Sequence, residues 1–269
     1  MSVIFLTESG DSIGLGHLRR CQELSELIEG SRLITLNEFD WIKFTLDISK
    51  DDIVVIDSYK PQRDTYEKYL QKAKKVIALD DYERIDYGNS IVIQPDIFSG
   101  DDLFILRDSF KEINYEVKKE LKNIIVSVGG SDYRGVIPNI MKMLQSIKGV
   151  KSIYIGADNP IQKDLVPKII SNADVFISGF GQMMFELSYM GIPTIGIQID
   201  EDQKKIADFF SSKGLTRHNK WNEVDLYDKL RSQIETSYQK YAFRKNLSKR
   251  LKQLIDGKGK ERIIKIING

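Results

Sequence analysis

The chain has 269 residues, of which 41% are hydrophobic and 29% charged, a balance typical of soluble globular proteins. Its 40 Lys and Arg residues against 39 Asp and Glu residues give a formal net charge of +1. That balance excludes a surface of one sign for non-specific binding of nucleic acid or anionic membranes. The single cysteine, Cys21, excludes an intrachain disulfide and a cysteine zinc cluster. No apolar stretch approaches the roughly 20 residues that a membrane helix needs, so we expect a cytoplasmic protein.

Short apolar runs alternate with helical segments along the first part of the chain. The helical segments include 17–29 and 61–73, where Tyr66, Tyr69 and Leu70 recur at helical spacing. Nearly continuous apolar strands between helices predict a parallel sheet covered on both faces. Strands are predicted at 3–8, 32–36, 53–57, 75–80 and 90–95.

The pattern restarts after residues 107–122, a charged segment without a strand-like run that we interpret as a link. Further strands are predicted at 123–130, 152–157, 174–181 and 193–199, and the tail from Asp225 onward is predicted to be helical with a break at 256–262. The repeated pattern predicts two Rossmann-like α/β domains, residues 1–115 and 116–269. Ligands of open α/β sheets bind beyond the carboxyl ends of the strands. Two such domains facing each other would bring both sets of strand-end loops into one cleft.

The stretch "GLGHLRRC", residues 14–21, joins the first strand to the first helix. Gly14 and Gly16 allow backbone N–H groups to approach a ligand, and the helix that begins near His17 offers its N-terminal dipole to an anion. Arg19 stands where the dinucleotide-binding pattern G-x-G-x-x-G has its third glycine, so the loop is not a standard NAD site. On these residues alone, an anion site and a plain glycine turn both stay open. A catalytic base and a helix-capping imidazole are likewise both open for His17.

Acidic residues follow two neighbouring strands. Asp57 ends one apolar run, with Tyr59 two residues later, and Asp80 and Asp81 follow the next run. Carboxylates at such positions bind sugar hydroxyls, orient a base, coordinate a metal or cap a helix. No histidine accompanies these acids at ligand spacing, so the sequence predicts neither a metal requirement nor a cofactor.

Two glycine-containing loops mark the second domain. "VSVGGSD", residues 126–132, places Gly130 and Ser131 after a strand, an arrangement typical of backbone nests that bind phosphate. "ISGFGQMMFELSYMGIP", residues 177–193, is a glycine turn that leads into a helix, with Glu186 near its start. The turn, the helix and the following "GIP" and strand form a more specific pattern than any of their parts.

Eight segments of the chain are, in order, "GLGHLRR", "VVIDSY", "LDD", "LFILRDSF", "VGGSD", "SGFGQMMFE", "DEDQKKIA" and "DGKGKERI". In this order they resemble the UDP-sugar hydrolases of pseudaminic acid biosynthesis and the related spore-coat polysaccharide proteins. The resemblance covers essentially the whole chain. It implies a two-domain fold of the glycosyltransferase B type, with UDP bound mainly by the second domain and the sugar presented to the first.

The same resemblance implies roles for individual residues. His17 and Tyr59 are expected to be catalytic, with His17 as the base that activates water, and Glu186 is expected to hold the ribose hydroxyls. Further substrate contacts are expected in the first domain from Gly14, Gly16, Arg19, Asp57 and Asp81. In the second domain they are expected from Gly130, Ser131, Phe180, Gly181, Gln182, Met184, Asp202 and Gln203.

Hydrolysis of a UDP-sugar needs a base and donors for the diphosphate, but no general acid, because a nucleoside diphosphate leaves as a stable anion. The chain differs from the family's pattern in having Asp202 where an asparagine is usual, and a short segment at 157–174. Two alternatives stay open. One is a glycosyltransferase on the same fold, in which His17 deprotonates an acceptor hydroxyl, and the other is a nucleotide-sugar-binding protein without turnover.

Overall fold

The computed structural model describes residues 1–8, 16–36, 40–98, 100, 102–129, 132–156, 159, 161–162 and 165–269. At residues 40 and 42 the description is limited to the backbone. The chain divides into two compact units, one formed by Met1–Arg107 with Gly257–Gly269 and the other by Asp108–Asp256. Within the described ranges, no helix is long and apolar enough to cross a membrane.

The first unit is built on a sheet of five parallel strands. They are β1 (Val3–Glu8), β2 (Arg32–Leu36), β3 (Ile53–Asp57), β4 (Lys75–Leu79) and β5 (Ile91–Ile93). Their order across the sheet is β2-β1-β3-β4-β5, with Thr7 of β1 opposite Asp57 of β3. Asp57 therefore lies at the carboxyl edge of the sheet, where open α/β sheets bind ligands.

Helices cover both faces of this sheet, as its apolar strands predict. They are α1 (Gly16–Ser25), α2 (Asp40–Lys43) and α3 (Arg63–Leu70). Successive strand residues point to opposite faces, and the core divides accordingly. Phe5 and Val55 pack with Cys21 of α1 on one face, and Ile4 packs with Tyr66 of α3 on the other.

The second unit repeats the plan with another sheet of five parallel strands. They are β6 (Asn123–Ser127), β7 (Lys151–Tyr154), β8 (Val175–Gly179), β9 (Thr194–Gln198) and β10 (His218–Lys220). The order is β10-β9-β8-β6-β7, which places β8 between β9 and β6. The edge strand β10 was not predicted, because its three residues, His-Asn-Lys, are polar and give no apolar run.

Helices account for most of the remaining second unit. They are α4 (Asp108–Lys111), α5 (Ile137–Gln145), α6 (Val166–Ile170), α7 (Gln182–Met190), α8 (Lys204–Ser212), α9 (Leu226–Gln233) and α10 (Tyr241–Leu251). A 3₁₀ turn at Glu201–Gln203 precedes α8, and a π-helical turn at Ile234–Tyr238 continues α9. All the predicted strands are present. Most are shorter than predicted at their carboxyl ends, because the apolar runs extend into the strand-end loops.

The C-terminal helix α11 (Gly259–Asn268) belongs to the first unit, which corrects its predicted place in the second domain. Ile263 and Ile267, one helical turn apart, join the apolar core that contains Val3 and Phe5. Gly259 allows this close packing, because a Cβ at that position would lie 2.2 Å from the carbonyl oxygen of Phe104. The apolar face of the tail predicts burial but does not specify which sheet receives it.

Candidate active site

Helix α1 carries polar side chains on the face that it buries. Its buried residues are His17, Arg20, Cys21 and Leu24, whose spacing of three or four positions places them on one side of the helix. Cys21 and Leu24 pack in the apolar core. His17 and Arg20, nearer the N-terminus, instead reach Asp57 at the end of β3. Asp57 is 0% exposed, so this charged cluster is held beneath the surface.

The contact between His17 and Asp57 specifies which nitrogen of the imidazole carries the hydrogen. Nδ1 of His17 lies 2.6 Å from Oδ1 of Asp57. Because a carboxylate can only accept, that distance requires Nδ1 to be the protonated nitrogen. Nη2 of Arg20, 3.1 Å from the same nitrogen, is then a close neighbour and not its donor. In this tautomer Nε2 keeps its lone pair, the form in which a neutral histidine accepts a proton.

Arg20 links two carboxylates. Its Nε and Nη2 donate to Asp57 at 3.0 and 2.8 Å, and its Nη1 lies 2.7 and 2.9 Å from the two oxygens of Asp81. Burial opposes the charge on Arg20, but the two carboxylates outweigh it and raise the pKa of Arg20 well above its ordinary value.

Asp81 is an ionised member of this cluster. Burial acts to raise the pKa of Asp81, but Arg20 and the hydrogen bond from Tyr59 outweigh it, so the pKa of Asp81 is lowered and the carboxylate stays ionised. Arg20 therefore holds an ionised carboxylate in the same cluster as the His17 imidazole.

Tyr59 completes the cluster as a hydrogen-bond donor. Its ring meets the His17 ring edge to face, with centroids 4.5 Å apart and planes at 88°. Its hydroxyl donates to Oδ2 of Asp81 at 2.6 Å, and its backbone N–H donates to Oε1 of Glu8 at 3.3 Å. Burial and the Asp81 carboxylate raise the pKa of Tyr59 well above its ordinary value. The phenol therefore stays protonated, and it orients its neighbours without acting as a base.

The adjacent acids Asp80 and Asp81 have different environments. Asp80 accepts hydrogen bonds from the backbone N–H groups of Tyr82 and Arg84 at 3.0 and 2.8 Å, and from the hydroxyl of Tyr87. These contacts hold the loop that follows β4. Of the two acids, Asp81 faces the His17 cluster and Asp80 has a structural role.

Other residues predicted in the first domain lie at the margin of this cluster or outside the description. Gly16 is the exposed first residue of α1, and a Cβ there would meet no atom within 4 Å. Arg19 is half-buried and lies outside the helix face that carries His17 and Arg20. Gly14 is outside the described residues, so the anion-binding role of this loop stays a prediction.

In the second unit, two side chains predicted in the nucleotide site are buried. Phe180 is 0% exposed, meets the ring of His218 at 5.4 Å between centroids, and fills the space that a Cβ at Gly196 would need. Met184, in α7, is also fully buried. Both side chains lie in the core, and their predicted contact with the nucleotide stays a prediction. Gly181, at the N-cap of α7, and the exposed Gln182 lie at the carboxyl edge of the sheet.

Gln203 connects the loops that follow β8 and β9. Its Oε1 accepts the backbone N–H groups of Phe180 at 3.3 Å and Ile199 at 3.0 Å. Next to it, desolvation and the carboxylate of Asp200 raise the pKa of the exposed Asp202. A carboxylate of raised pKa still differs from the asparagine usual at this position, because it adds negative charge to the loop when it ionises.

The remaining predicted nucleotide contacts are only partly described. Glu186 lies buried in the middle of α7. Gly130 and Ser131 are outside the described residues, which reach Gly129 on that loop. Gly129 has a φ of +128°, a conformation that favours glycine.

Sequence reasoning missed Arg20 and did not single out His218. The signal for Arg20 was present, because a residue three positions after His17 lies on the same helix face. His218 is half-buried at the start of β10, where its Nε2 lies 2.9 Å from Oε1 of Gln198. Burial lowers its pKa. Its position depends on the unpredicted strand β10.

Comparison with known proteins gives relatives at low identity. No family model matches the chain. The spore coat polysaccharide biosynthesis protein SpsG of Bacillus subtilis (strain 168) is 22% identical over 331 aligned positions, which cover 99% of this chain and 98% of SpsG. The alignment is longer than the chain, so SpsG has segments that this chain lacks. The similarity agrees with the resemblance to spore-coat polysaccharide proteins, whereas the hydrolase activity stays a prediction.

Solved structures confirm the predicted fold class. The glycosyltransferase of kitacinnamycin shares 15% identity at a TM-score of 0.62, covering 99% of this chain and 97% of its own. MurG of Acinetobacter baumannii shares 12% identity at a TM-score of 0.59, with coverage of 100% and 99%. This chain therefore has the α/β architecture of glycosyltransferase B-type structures, with two parallel five-stranded sheets.

Proposed function

We propose that the chain is a nucleotide-sugar hydrolase that releases UDP and a free amino-deoxy sugar from a UDP-linked acetamido-deoxyhexose. We infer that it acts in the biosynthesis of a surface polysaccharide or a nonulosonic acid of the pseudaminic type. The observation that carries the proposal is the 2.6 Å contact that fixes the His17 tautomer through the buried Asp57. The similarity to SpsG and the fold shared with glycosyltransferases support a nucleotide-sugar substrate.

The proposed reaction needs one proton transfer. The oxygen of water bonds to the anomeric carbon, and the bond from that carbon to the β-phosphate oxygen breaks, leaving its electron pair on UDP. The proton of the attacking water passes to Nε2 of His17, while Asp57 accepts from Nδ1 and stabilises the imidazolium. General base catalysis of this kind contributes roughly 10²–10⁴-fold to the rate. Tyr59, packed on the imidazole, positions His17 and the sugar.

The second unit supplies the nucleotide contacts in this proposal. We assign the phosphates to the backbone and polar groups of Gly130, Ser131, Gly181 and Gln182. We assign the ribose to Glu186. Gln203 supports this assignment, because its Oε1 accepts two backbone N–H groups, an arrangement in which its amide hydrogens have no acceptor among the residues that the structure describes. Asp202 contacts the sugar end. Phe180 and Met184 contribute indirectly, because their side chains pack in the core and support the turn between β8 and α7.

A glycosyltransferase is the second candidate, because the proteins of similar fold named above include a glycosyltransferase. In that reaction Nε2 of His17 deprotonates an acceptor hydroxyl, and every other role is unchanged. A protein that binds a nucleotide sugar without turnover is the third. The three functions differ in what releases UDP: water, an added acceptor, or nothing.

The deciding experiment follows UDP release from a panel of UDP-linked amino-deoxy sugars, with and without EDTA. We expect wild type to release UDP and reducing sugar in equal amounts in both conditions, and His17→Asn to be slower by about 10²–10⁴-fold. His218→Asn, the matched change at the only other histidine, should retain activity. UDP release only after an acceptor is added would establish the transferase, and binding without release would establish the third function. Equal rates for wild type and His17→Asn would reject His17 as the base.

A further inference from the structure

One arginine of the second unit is held in a fixed orientation by aromatic rings. Arg134 lies in the loop between β6 and α5, and 32% of its side chain is exposed. Its guanidinium carbon is 4.4 Å from the centre of the Trp221 ring and 4.8 Å from that of the Tyr133 ring. A guanidinium restrained in this way loses little further freedom when its N–H groups bind a ligand.

The described residues use only a small part of the hydrogen-bonding capacity of Arg134. Among them, Nε of Arg134 donates to the carbonyl oxygen of Ile199 at 3.4 Å, and the guanidinium also donates to the hydroxyl of Tyr133. Its Nη2 is 3.8 Å from Oδ1 of Asp200, longer than the 2.7–2.9 Å typical of arginine–carboxylate hydrogen bonds. Against the described residues the guanidinium therefore makes no carboxylate hydrogen bond of that length, and it can still bind an anion.

Asp200 does not depend on Arg134 for its partners. Its Oδ2 accepts the hydroxyl of Tyr133 at 2.6 Å, and its Oδ1 accepts the backbone N–H of Glu201 at 2.8 Å. These two hydrogen bonds, that of Tyr133 first, lower the pKa of Asp200. An anion that bonds to Arg134 would leave both of them in place.

Arg134 also lies where ligands of this fold class bind. It follows β6, whereas its contacts Ile199 and Trp221 follow β9 and β10. Because β8 lies between β9 and β6 in the sheet, Arg134 and the residues that it contacts follow strands on either side of β8 and flank its carboxyl end. That end leads through Gly181 into α7, so Arg134 lies beside the turn assigned to the nucleotide.

We propose that the Arg134 guanidinium binds the diphosphate of the nucleotide sugar and stabilises the negative charge that grows on it as the sugar–oxygen bond breaks. This inference rests on the proposed function and names the group that holds the leaving UDP. The planar fork of an arginine matches two phosphate oxygens at once. A fixed positive charge at the leaving group lowers the barrier more than it strengthens substrate binding, because the charge on the diphosphate is larger in the transition state.

The test compares the affinities of wild type, Arg134→Met, Arg134→Lys and Arg231→Met for UDP, inorganic pyrophosphate and uridine by calorimetry. Methionine keeps an apolar chain between the rings and removes the charge. Arg231, a half-buried residue of α9 with 37% of its side chain exposed, provides the matched loss of one positive charge. A charge-assisted hydrogen bond corresponds to a loss of about 10–100-fold in affinity. We expect Arg134→Met to lose that much for UDP and pyrophosphate and nothing for uridine, Arg134→Lys to recover part of the loss, and Arg231→Met to match wild type.

Every other result would contradict a specific part of the proposal. Equal UDP affinity for wild type and Arg134→Met would show that Arg134 only packs between Tyr133 and Trp221. An equal loss of affinity for uridine and UDP would assign Arg134 to the nucleoside or to the fold. The ligand affinities of Arg134→Lys and the thermal midpoints of the variants would distinguish these two roles. If wild type binds pyrophosphate through Arg134 but does not bind UDP, the anion site is kept and the nucleotide is rejected as its ligand. Wild type that binds neither would reject both proposals.

Discussion

The carboxyl edges of the two sheets offer different kinds of groups. In the first unit, His17, Arg20, Asp57, Asp81 and Tyr59 are joined by hydrogen bonds into one partly buried, charged cluster. In the second unit, the corresponding edge offers glycine-containing loops, the carboxamide of Gln203 and an arginine stacked on aromatic rings. The two edges have the same strand topology, so the difference comes from the loops and from the first helix.

This difference follows from what each edge must do in the proposed reaction. Proton transfer needs one nitrogen with a defined tautomer, and only a fixed, acceptor-only partner such as Asp57 provides it. Binding a nucleoside diphosphate needs several donors that tolerate exposure to water before the ligand arrives. Backbone N–H groups, amides and a stacked guanidinium meet that need without a buried charge network.

The largest expected effect comes from replacing Asp57 by Asn. The amide oxygen would take the place of Oδ2 and accept from Nε of Arg20, while the amide nitrogen would take the place of Oδ1 and turn its hydrogens toward Nδ1 of His17. Nδ1 would then accept, Nε2 would carry the hydrogen, and the base would be lost. We expect kcat to fall by about 10³–10⁴-fold with UDP affinity unchanged, an estimate taken from the same substitution in a serine protease triad.

The tautomer can be measured without any substrate. The chain has two histidines, so ¹⁵N NMR of labelled histidine in the His218→Asn background reports His17 alone. The hydrogen should be on Nδ1 in wild type and on Nε2 after Asp57→Asn. Asp86→Asn, the same chemical change at an exposed position, is the control. A wild-type protein with its hydrogen on Nε2 would contradict the assignment.

Much of the fold could be predicted from the sequence because the strands are apolar and regularly spaced. The exceptions have physical reasons. Strand β10 is three polar residues long and depends on pairing with β9. The position of α11 is decided by long-range packing of Ile263 and Ile267, which local periodicity does not encode.

The candidate site was predictable where a residue lies at a strand end and not where a contact joins distant elements. Asp57, Tyr59 and Asp81 were identified from their positions after β3 and β4. Arg20 was missed although it lies one helical turn after His17, because its role depends on two carboxylates that come from the end of β3 and the loop after β4. The inward orientation of Phe180 likewise depends on Gly196, a residue of the neighbouring strand.

A second prediction concerns the stability of the first unit. Arg20→Met leaves the fully buried Asp57 with His17 at Oδ1 and only the Cys21 thiol, 4.0 Å away, at Oδ2. Breaking a buried pair in this way costs about 3–5 kcal/mol in the free energy of unfolding. Urea denaturation measures it, with Arg63→Met on exposed α3 as a control that should match wild type. The double variant Arg20→Met/Asp57→Asn should recover part of the loss, because the uncompensated charge is gone. A single variant as stable as wild type would show that Arg20 does not hold the cluster together.

The smallest expected effect is a pH dependence of the free energy of unfolding of the first unit, to which Asp81 contributes. Because the pKa of Asp81 is lower in the folded protein than its ordinary value, the carboxylate stabilises the fold fully above the unfolded pKa of about 4. That contribution is lost as the pH falls through the lowered folded pKa. Asp81→Asn removes the titration, so it should be less stable than wild type at pH 7, and the difference should shrink below about pH 4. Urea denaturation between pH 7 and 3 measures this, with Asp51→Asn in an exposed turn as the control. A difference that stays constant with pH would mean that Asp81 stabilises the first unit by its shape and hydrogen bonds and not by its charge.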